Sequence, residues 1–276
     1  MPPPLDELLG GIAARIFGED AQADILQAWR HFSEAIRLVP DTGPRMGTNG
    51  AVGNPLFFAE PPARTATYTY SWSSQGPEAG YLGNGLIPYW PFTVFYLVFC
   101  PDFTNHTNRA EHYARTASGV QPPAGTAVLP VFLKYLRNAA AEMESGLVLY
   151  RAAALRCSQE RRSGAMREVI VAEQLRRMIE SNCAILEFED LRLRFVAEKD
   201  KPTALRLLDQ MEAILREETL RTEESLVAAE HDSRLGFQFE QDYVYTPYSI
   251  REKLRILHET LKQQLPDARR ETIGRP

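Results

Sequence analysis

Apolar residues recur in steps of three and four along most of this chain, and that spacing places them on one face of an α-helix. The clearest run lies between residues 200 and 229: Leu205, Leu208, Met211, Leu215, Thr219, Thr222, Leu226 and Ala229. A shorter run follows in residues 250–261. These runs predict two amphipathic helices that bury their apolar faces against each other and against further helices.

The N-terminal residues predict a helical hairpin over residues 5–40. The first helix, residues 5–17, carries its apolar face on Leu5, Leu8, Leu9, Ile12 and Ile16. Gly18 follows as a residue that adopts a positive φ easily and so ends a helix. The second helix, residues 21–38, carries Ile25, Trp29, Phe32 and Ile36, and Pro40 ends it.

The C-terminal half predicts long helices separated by short breaks. One helix covers residues 130–157, and Ser163–Gly164 breaks the chain before another at 165–198. Asp200 is placed to cap the next helix, with Pro202 in its first turn, and Thr246 and Pro247 open the last helix. Residues 265–276 are polar and predict a frayed tail.

The predicted fold class is therefore mainly α: an antiparallel helical bundle with an N-terminal helical hairpin and a long aromatic, irregular insertion. We expect one domain, with the hairpin at 5–40, the insertion at 41–127, the bundle at 128–264 and the frayed tail at 265–276.

The insertion, residues 41–127, is rich in glycine, proline and aromatic residues. A loop of this length inside a compact domain is uncommon and often functional. Its aromatic residues either cap the helices or form a surface for another domain or a sugar-like ligand; disorder is the third reading. The candidate ligand-binding residues are Arg45, Trp72, Tyr81, Asn84 and Trp90, with Asn49 and Tyr89 beside them.

Residues 230–237, which we term the joint, form the most specific local feature. Asp232 and Ser233 can bond free backbone groups at a helix end, and Arg234 offers five donors in a fixed fork. Gly236 can supply a positive φ. We predict a structural role for these four residues, as contacts that hold two helices together; the alternative is a ligand contact through Arg234 or His231.

Composition excludes several classes. The 276 residues are 44% hydrophobic and 24% charged, and 31 basic against 36 acidic side chains give a net charge of −5. Such a chain has no overall field for nucleic acid or anionic membranes. Three scattered cysteines fit reduced thiols, no signal peptide is apparent, and the apolar stretch 92–99 is too short to span a bilayer. We expect a cytoplasmic protein.

The usual motifs for chemistry are missing. No Glu-x-x-His or His-Glu-x-x-His pattern supplies a metal site, the cysteines lack zinc spacing, and no Gly-Lys-Ser/Thr follows the glycine clusters. We therefore predict no metal, no cofactor and no catalytic residue. The carboxylates of Glu187, Glu189 and Asp190 lie close to Arg192 and Arg194, which predicts a solvated, ion-paired helix face.

Two segments nevertheless suggest a family. The Leu5-x-x-Leu8 helix, Phe17-Gly18 and the stretch from Ala28 to Ile36 (AWRHFSEAI), together with the joint and its Thr-Pro-started helix, resemble the helical C-terminal region of large bacterial glycoside-hydrolase-like proteins of the α-glucuronidase and hexosaminidase type. The resemblance covers residues 5–40 and 205–262.

The resemblance implies a helical region that follows a catalytic barrel in such proteins. This chain departs from them because it lacks the barrel, which needs about 250 residues of alternating strands and helices. Whether the chain is an enzyme is thus open. We predict a non-catalytic accessory domain that packs against a catalytic barrel or partner protein. The alternatives are a carbohydrate-binding or hydrolase fragment that uses the aromatic insertion, and a helical oligomeric scaffold.

Overall fold

The structure, a computed structural model, describes residues 4–39, 56, 58, 125–238, 242–243 and 247–275. These residues are mainly helical, which confirms the predicted mainly α class. The helices are α1 (Leu5–Phe17), α2 (Gln22–Leu38), α3 (Leu129–Arg156), α4 (Gln159–Ala197), α5 (Lys201–His231), α6 (Pro247–Glu259) and α7 (Leu265–Gly274). Short 3₁₀ turns lie at Glu19–Ala21, Gly125–Val128 and Ser233–Gly236. None of the described helices is long and apolar enough to cross a membrane.

Several predicted helix ends are confirmed. Gly18 ends α1 with a φ of 104°, and its N–H bonds the carbonyl of Ala14. The Asp200 carboxylate accepts a hydrogen bond of 3.0 Å from the backbone N–H of Thr203, so it caps α5. Pro202 lies in the first turn of that helix and Pro247 begins α6. The N–H groups in the first turn of a helix have no acceptor within the helix, so a proline there removes no helical hydrogen bond.

The predicted break at Ser163–Gly164 is wrong, because both residues lie inside α4. The chain breaks instead between α3 and α4, where Arg162 donates to the carbonyls of Leu155 and Cys157. That guanidinium satisfies carbonyl groups at the end of α3, which have no helical partner. A single glycine costs a helix interior only about 1 kcal/mol relative to alanine, so α4 continues through it.

The predicted frayed tail is also wrong over most of its length. Residues 260–264 form one turn of π-helix, and Leu265–Gly274 form α7. Leu265, Ala268 and Thr272 are buried along one side of α7. Polarity misled the prediction because the polar residues occupy the opposite side of the same helix.

The chain divides into two compact units, a finer division than the single domain predicted from sequence. The first contains Met1–Val39 and Lys134–Glu180, and the second contains Pro40–Leu133 and Ser181–Pro276. Helix α4 continues from the first unit into the second.

Tyr150 lies at the centre of the first unit. Its ring lies 4.9 Å from that of Phe17 and 5.2 Å from that of Phe32, the latter edge-on. Trp29 donates its indole N–H to the Tyr150 hydroxyl over 3.1 Å. Aromatic rings at such distances attract one another beyond their burial alone. The aromatic cluster therefore joins α1 and α2 to α3.

Helix α1 does not bury the face that its sequence predicts. Its buried residues are Gly10, Ala13 and Phe17. Leu5 is 67% exposed and Leu8 is 49% exposed, while Leu9, Ile12 and Ile16 are half-buried. Small residues allow α1 to lie close to α2, and this close packing decides which side of α1 turns inward.

In the second unit, α5 buries the predicted apolar face against α6 and α7. All eight residues of that face are buried or half-buried: Leu208, Met211, Leu215, Thr219 and Thr222 are buried, and Leu205, Leu226 and Ala229 are half-buried. Arg269 of α7 binds Asp209 and Glu212 of α5 at 2.7 and 3.2 Å. From the predicted insertion, Leu56 is buried and the Phe58 ring lies 5.7 Å from that of Phe195. Apart from these two residues and residues 125–127, the insertion lies outside the described part, so its predicted irregular structure is untested.

Candidate functional site

The predicted ligand-binding residues lie outside the described part of the structure. Arg45, Trp72, Tyr81, Asn84 and Trp90 are all among them, as are Asn49 and Tyr89. The sugar-binding interpretation of the aromatic insertion therefore stays a prediction.

The whole joint, residues 230–237, is described, and its last residue begins a short hairpin. Asp232 is buried, and both its carboxylate oxygens accept hydrogen bonds of 3.0 Å from Nε of Arg234. The Arg234 N–H also donates to Asp232, while Ser233 is exposed. Gly236 completes the 3₁₀ turn.

Two-residue strands then follow the 3₁₀ turn of the joint. Strand β1 (Phe237–Gln238) pairs antiparallel with β2 (Asp242–Tyr243), which the sequence did not predict. The contacts between Arg234 and Asp232 are local to the turn. A contact from Arg234 to a second helix, and a ligand contact by Arg234 or His231, both stay predictions.

A buried charged cluster, which sequence reasoning missed, lies where α4, α5 and α6 meet. Its members are Ser181 of α4, Glu218 and Arg221 of α5, and Lys253 of α6. The Glu218 carboxylate accepts bonds from Lys253 at 2.5 Å and from Ser181 at 2.7 Å, both on Oε1. Arg221 binds the other oxygen, Oε2. Glu218 is 0% exposed and Lys253 is 1% exposed.

The helix pattern places these side chains in the core. Glu218 lies three residues after Leu215, Lys253 lies three after Ile250, and Ser181 lies three after Met178, so each occupies a position of its helix's apolar face. Charged residues at such positions could have indicated a buried cluster. The cluster was missed because the apolar residues alone satisfied the expected periodicity.

Burial raises the pKa of Glu218, but the charges of Lys253 and Arg221 outweigh it, so the pKa lies below its ordinary value of 4.5. Burial also lowers the pKa of Lys253 below 10.5, and the attraction of Glu218 only partly offsets it. Both directions follow from the composition of the cluster. Two cations lie beside one carboxylate, so the carboxylate stays ionised, while burial disfavours the charged form of the Lys253 amine.

A second buried ion pair lies on α4. Arg192 donates from Nε and Nη2 to the two carboxylate oxygens of Glu189 at 2.8 and 3.0 Å. The predicted ion pairing on this helix is thus confirmed, and Asp190 binds Arg194 at 3.4 Å. The predicted solvation is wrong for Glu189 and Arg192, which are both buried. Residues 181–195 of α4 are buried on most sides, as in a central helix.

Ser181 and Glu218 are arranged like a nucleophilic hydroxyl beside its base, but in this conformation they cannot react with a substrate. Ser181 is buried with Glu218, and its hydroxyl already donates to the carboxylate. A nucleophile and its base need access to the reacting group. Within the described residues, no three His, Cys, Asp or Glu side chains come together to hold a metal ion. The cluster can hold three helices together through charge-assisted hydrogen bonds.

Comparison with known proteins gives no match: no family model matches the chain, and neither does any curated protein or solved structure.

Proposed function

We propose that this chain is a non-catalytic helical accessory domain that packs against a catalytic barrel domain or a separate partner protein. One observation carries the proposal. The two oxygens of the buried Glu218 carboxylate accept hydrogen bonds from three side chains of the protein itself. An acid buried and bonded in this way stabilises the packing of helices and is out of reach of a substrate.

The class of partner comes from the resemblance of residues 5–40 and 205–262 to the helical region of glycoside-hydrolase-like proteins. In proteins of that kind the catalytic acid and base would lie in the barrel, so the helical region would support it. The second unit suits a supporting role, because charged contacts join its helices. Arg269 joins α7 to α5, and Lys253 joins α6 to α5.

The first test compares hydrolysis with stability in one variant. The purified chain is assayed with nitrophenyl glycosides, including a glucuronide and an N-acetylhexosaminide, and its thermal unfolding is followed by circular dichroism. We expect no hydrolysis above buffer. Glu218→Gln leaves Lys253 without its buried counter-charge, so we expect a loss of about 3–5 kcal/mol of unfolding free energy.

Glu217→Gln is the matched control, since Glu217 lies next in sequence but is exposed. Its effect on stability should be within about 0.5 kcal/mol. Enzymatic hydrolysis by the wild-type chain that disappears when one carboxylate is neutralised would overturn the proposal. A normal melting temperature in Glu218→Gln would remove its structural support.

The second test concerns the partner. We expect a barrel-encoding sequence either in frame with this chain or in the neighbouring gene. Co-expression of that barrel with the chain should give one complex by size-exclusion chromatography and a higher melting temperature for the barrel. A barrel that is equally stable and active without the chain would argue against an accessory role.

A further inference from the structure

Helix α1 exposes an apolar edge in the isolated chain. Leu5 and Leu8 are exposed at 67% and 49%, and Ile12 is half-buried on the same side. The sequence places these residues at the spacing of a helix that buries one face. The structure turns Gly10, Ala13 and Phe17 inward instead. The apolar edge of α1 is thus available to another molecule.

The charges beside this edge indicate which molecule fits. Glu7, Gly11 and Arg15 follow one another in steps of four, so they form a single row along the edge, and all three are exposed. Glu7 and Arg15 form no ion pair with the described residues. The row therefore carries an acid at one end, a base at the other, and a glycine at its midpoint.

Such a row is complementary to itself when two copies run antiparallel. With the two helices centred on Gly11, Glu7 of each copy is level with Arg15 of the other. Both opposite charges and antiparallel helix dipoles favour that arrangement. A Cβ at Gly11 would meet nothing within 4 Å in the single chain, so the row is open for a second backbone to approach.

We propose that α1 packs antiparallel against α1 of a second copy of this chain, forming a two-fold symmetric dimer. Leu5, Leu8 and Ile12 supply the apolar contact, Gly11 lies at the crossing, and two Glu7–Arg15 ion pairs flank it. A contact made by one helix of 13 residues is small, so the dimer is weak and depends on concentration.

A membrane surface fits this helix less well. Helices that lie on anionic membranes carry lysine and arginine on their polar face. Helix α1 carries Asp6 and Glu7 in its first turn and Arg15 in its last. The mixed charges favour a protein surface with the same mixture, and a second α1 has it.

Sedimentation velocity of the full chain, from low to high micromolar concentration, tests the dimer. We expect the wild type to shift from monomer to dimer across this range. Leu8→Glu should remain monomeric throughout with an unchanged melting temperature at low concentration, because Leu8 is exposed in the single chain. Gly11→Gln should behave in the same way, since its side chain has open space in the monomer but not at the crossing.

A charge reversal makes the test specific to this geometry. Glu7→Arg and Arg15→Glu should each weaken the dimer at least tenfold, and the combined variant should restore it. Leu220→Glu on the outer face of α5 is the control, because Leu220 is 62% exposed but lies on another helix, and it should dimerise like the wild type.

Three outcomes would overturn the proposal. One is a wild-type chain that stays monomeric over the whole range. Another is a dimer that survives Leu8→Glu or that the combined charge reversal does not restore. The third is binding of the wild type, but not of Leu8→Glu, to anionic phosphatidylserine vesicles without dimerisation, which would assign the apolar edge to a membrane.

Discussion

Two glycines in the long helices α3 and α4 have very different surroundings. A Cβ at Gly146 would lie 2.4 and 2.7 Å from ring carbons of Phe32 and 3.0 Å from the carbonyl oxygen of Ala28. A Cβ at Gly164 would meet nothing within 4 Å. The first glycine therefore permits the close approach of α2 to α3, whereas the second only weakens its own helix.

The same substitution should consequently have opposite effects at the two positions. Gly146→Ala should lower the free energy of unfolding by about 1–3 kcal/mol, because the Phe32 ring must move away from well-packed neighbours. Gly164→Ala should raise it by about 0.5–1 kcal/mol, since alanine favours the helix and fits freely. Denaturant unfolding of both variants measures these changes. If Gly146→Ala were as stable as the wild type, α2 and α3 would not pack as described.

At the scale of elements, the apolar periodicity predicted the helices well because helix formation depends on local spacing. The bounds of α1 and α5 agree with the prediction to within two residues. The errors have different causes. Helix α4 passes through Ser163–Gly164 because tertiary packing outweighs the small propensity cost of one glycine. Helix α7 was missed since its buried positions are held by Leu265, Ala268 and Thr272, a set too sparse to show periodicity.

The docking of α7 can be tested with two matched apolar truncations. Leu265 is buried, so Leu265→Ala should cost about 2–5 kcal/mol of unfolding free energy. Ile273 is 53% exposed on the same helix, and Ile273→Ala should change stability by no more than about 0.5 kcal/mol. Thermal unfolding followed by far-ultraviolet circular dichroism, which reports helix content, distinguishes the two variants. If neither substitution changed the free energy of unfolding, the frayed tail that the sequence predicted would be supported.

At the scale of the whole molecule, the sequence predicts that helices pack but not which charged groups go inside with them. Glu218 and Lys253 belong to different helices, 35 positions apart in the chain. Each side chain lies at an apolar-face position of its own helix, but the periodicity of one helix does not identify the charge that it meets, and only their meeting across α5 and α6 makes burial tolerable. The candidate site thus depends on tertiary pairing, which single-helix periodicity does not contain.

From that pairing we expect the second unit to be sensitive to acid. Because the pKa of Glu218 is lower in the folded protein than its ordinary 4.5, the unfolded chain binds more protons as the pH falls towards and below that value. The stability that ionised Glu218 contributes is fully present above its ordinary pKa and is lost as the pH falls through its pKa in the folded protein. Protonation of Glu218 would remove the negative charge that lies beside Lys253 and Arg221. Helices α5 and α6 should then open before the first unit does.

Hydrogen exchange measured by mass spectrometry at decreasing pH, corrected for the intrinsic exchange rate, follows the two units separately. We expect peptides from α5 and α6 to lose protection at a higher pH than peptides from α2 and α3. The double variant Glu218→Leu/Lys253→Met removes the titrating pair while keeping apolar volume, so its α5 and α6 peptides should remain protected to lower pH. Identical acid profiles for this variant and the wild type would mean that other carboxylates control the transition, because no other change separates the two proteins.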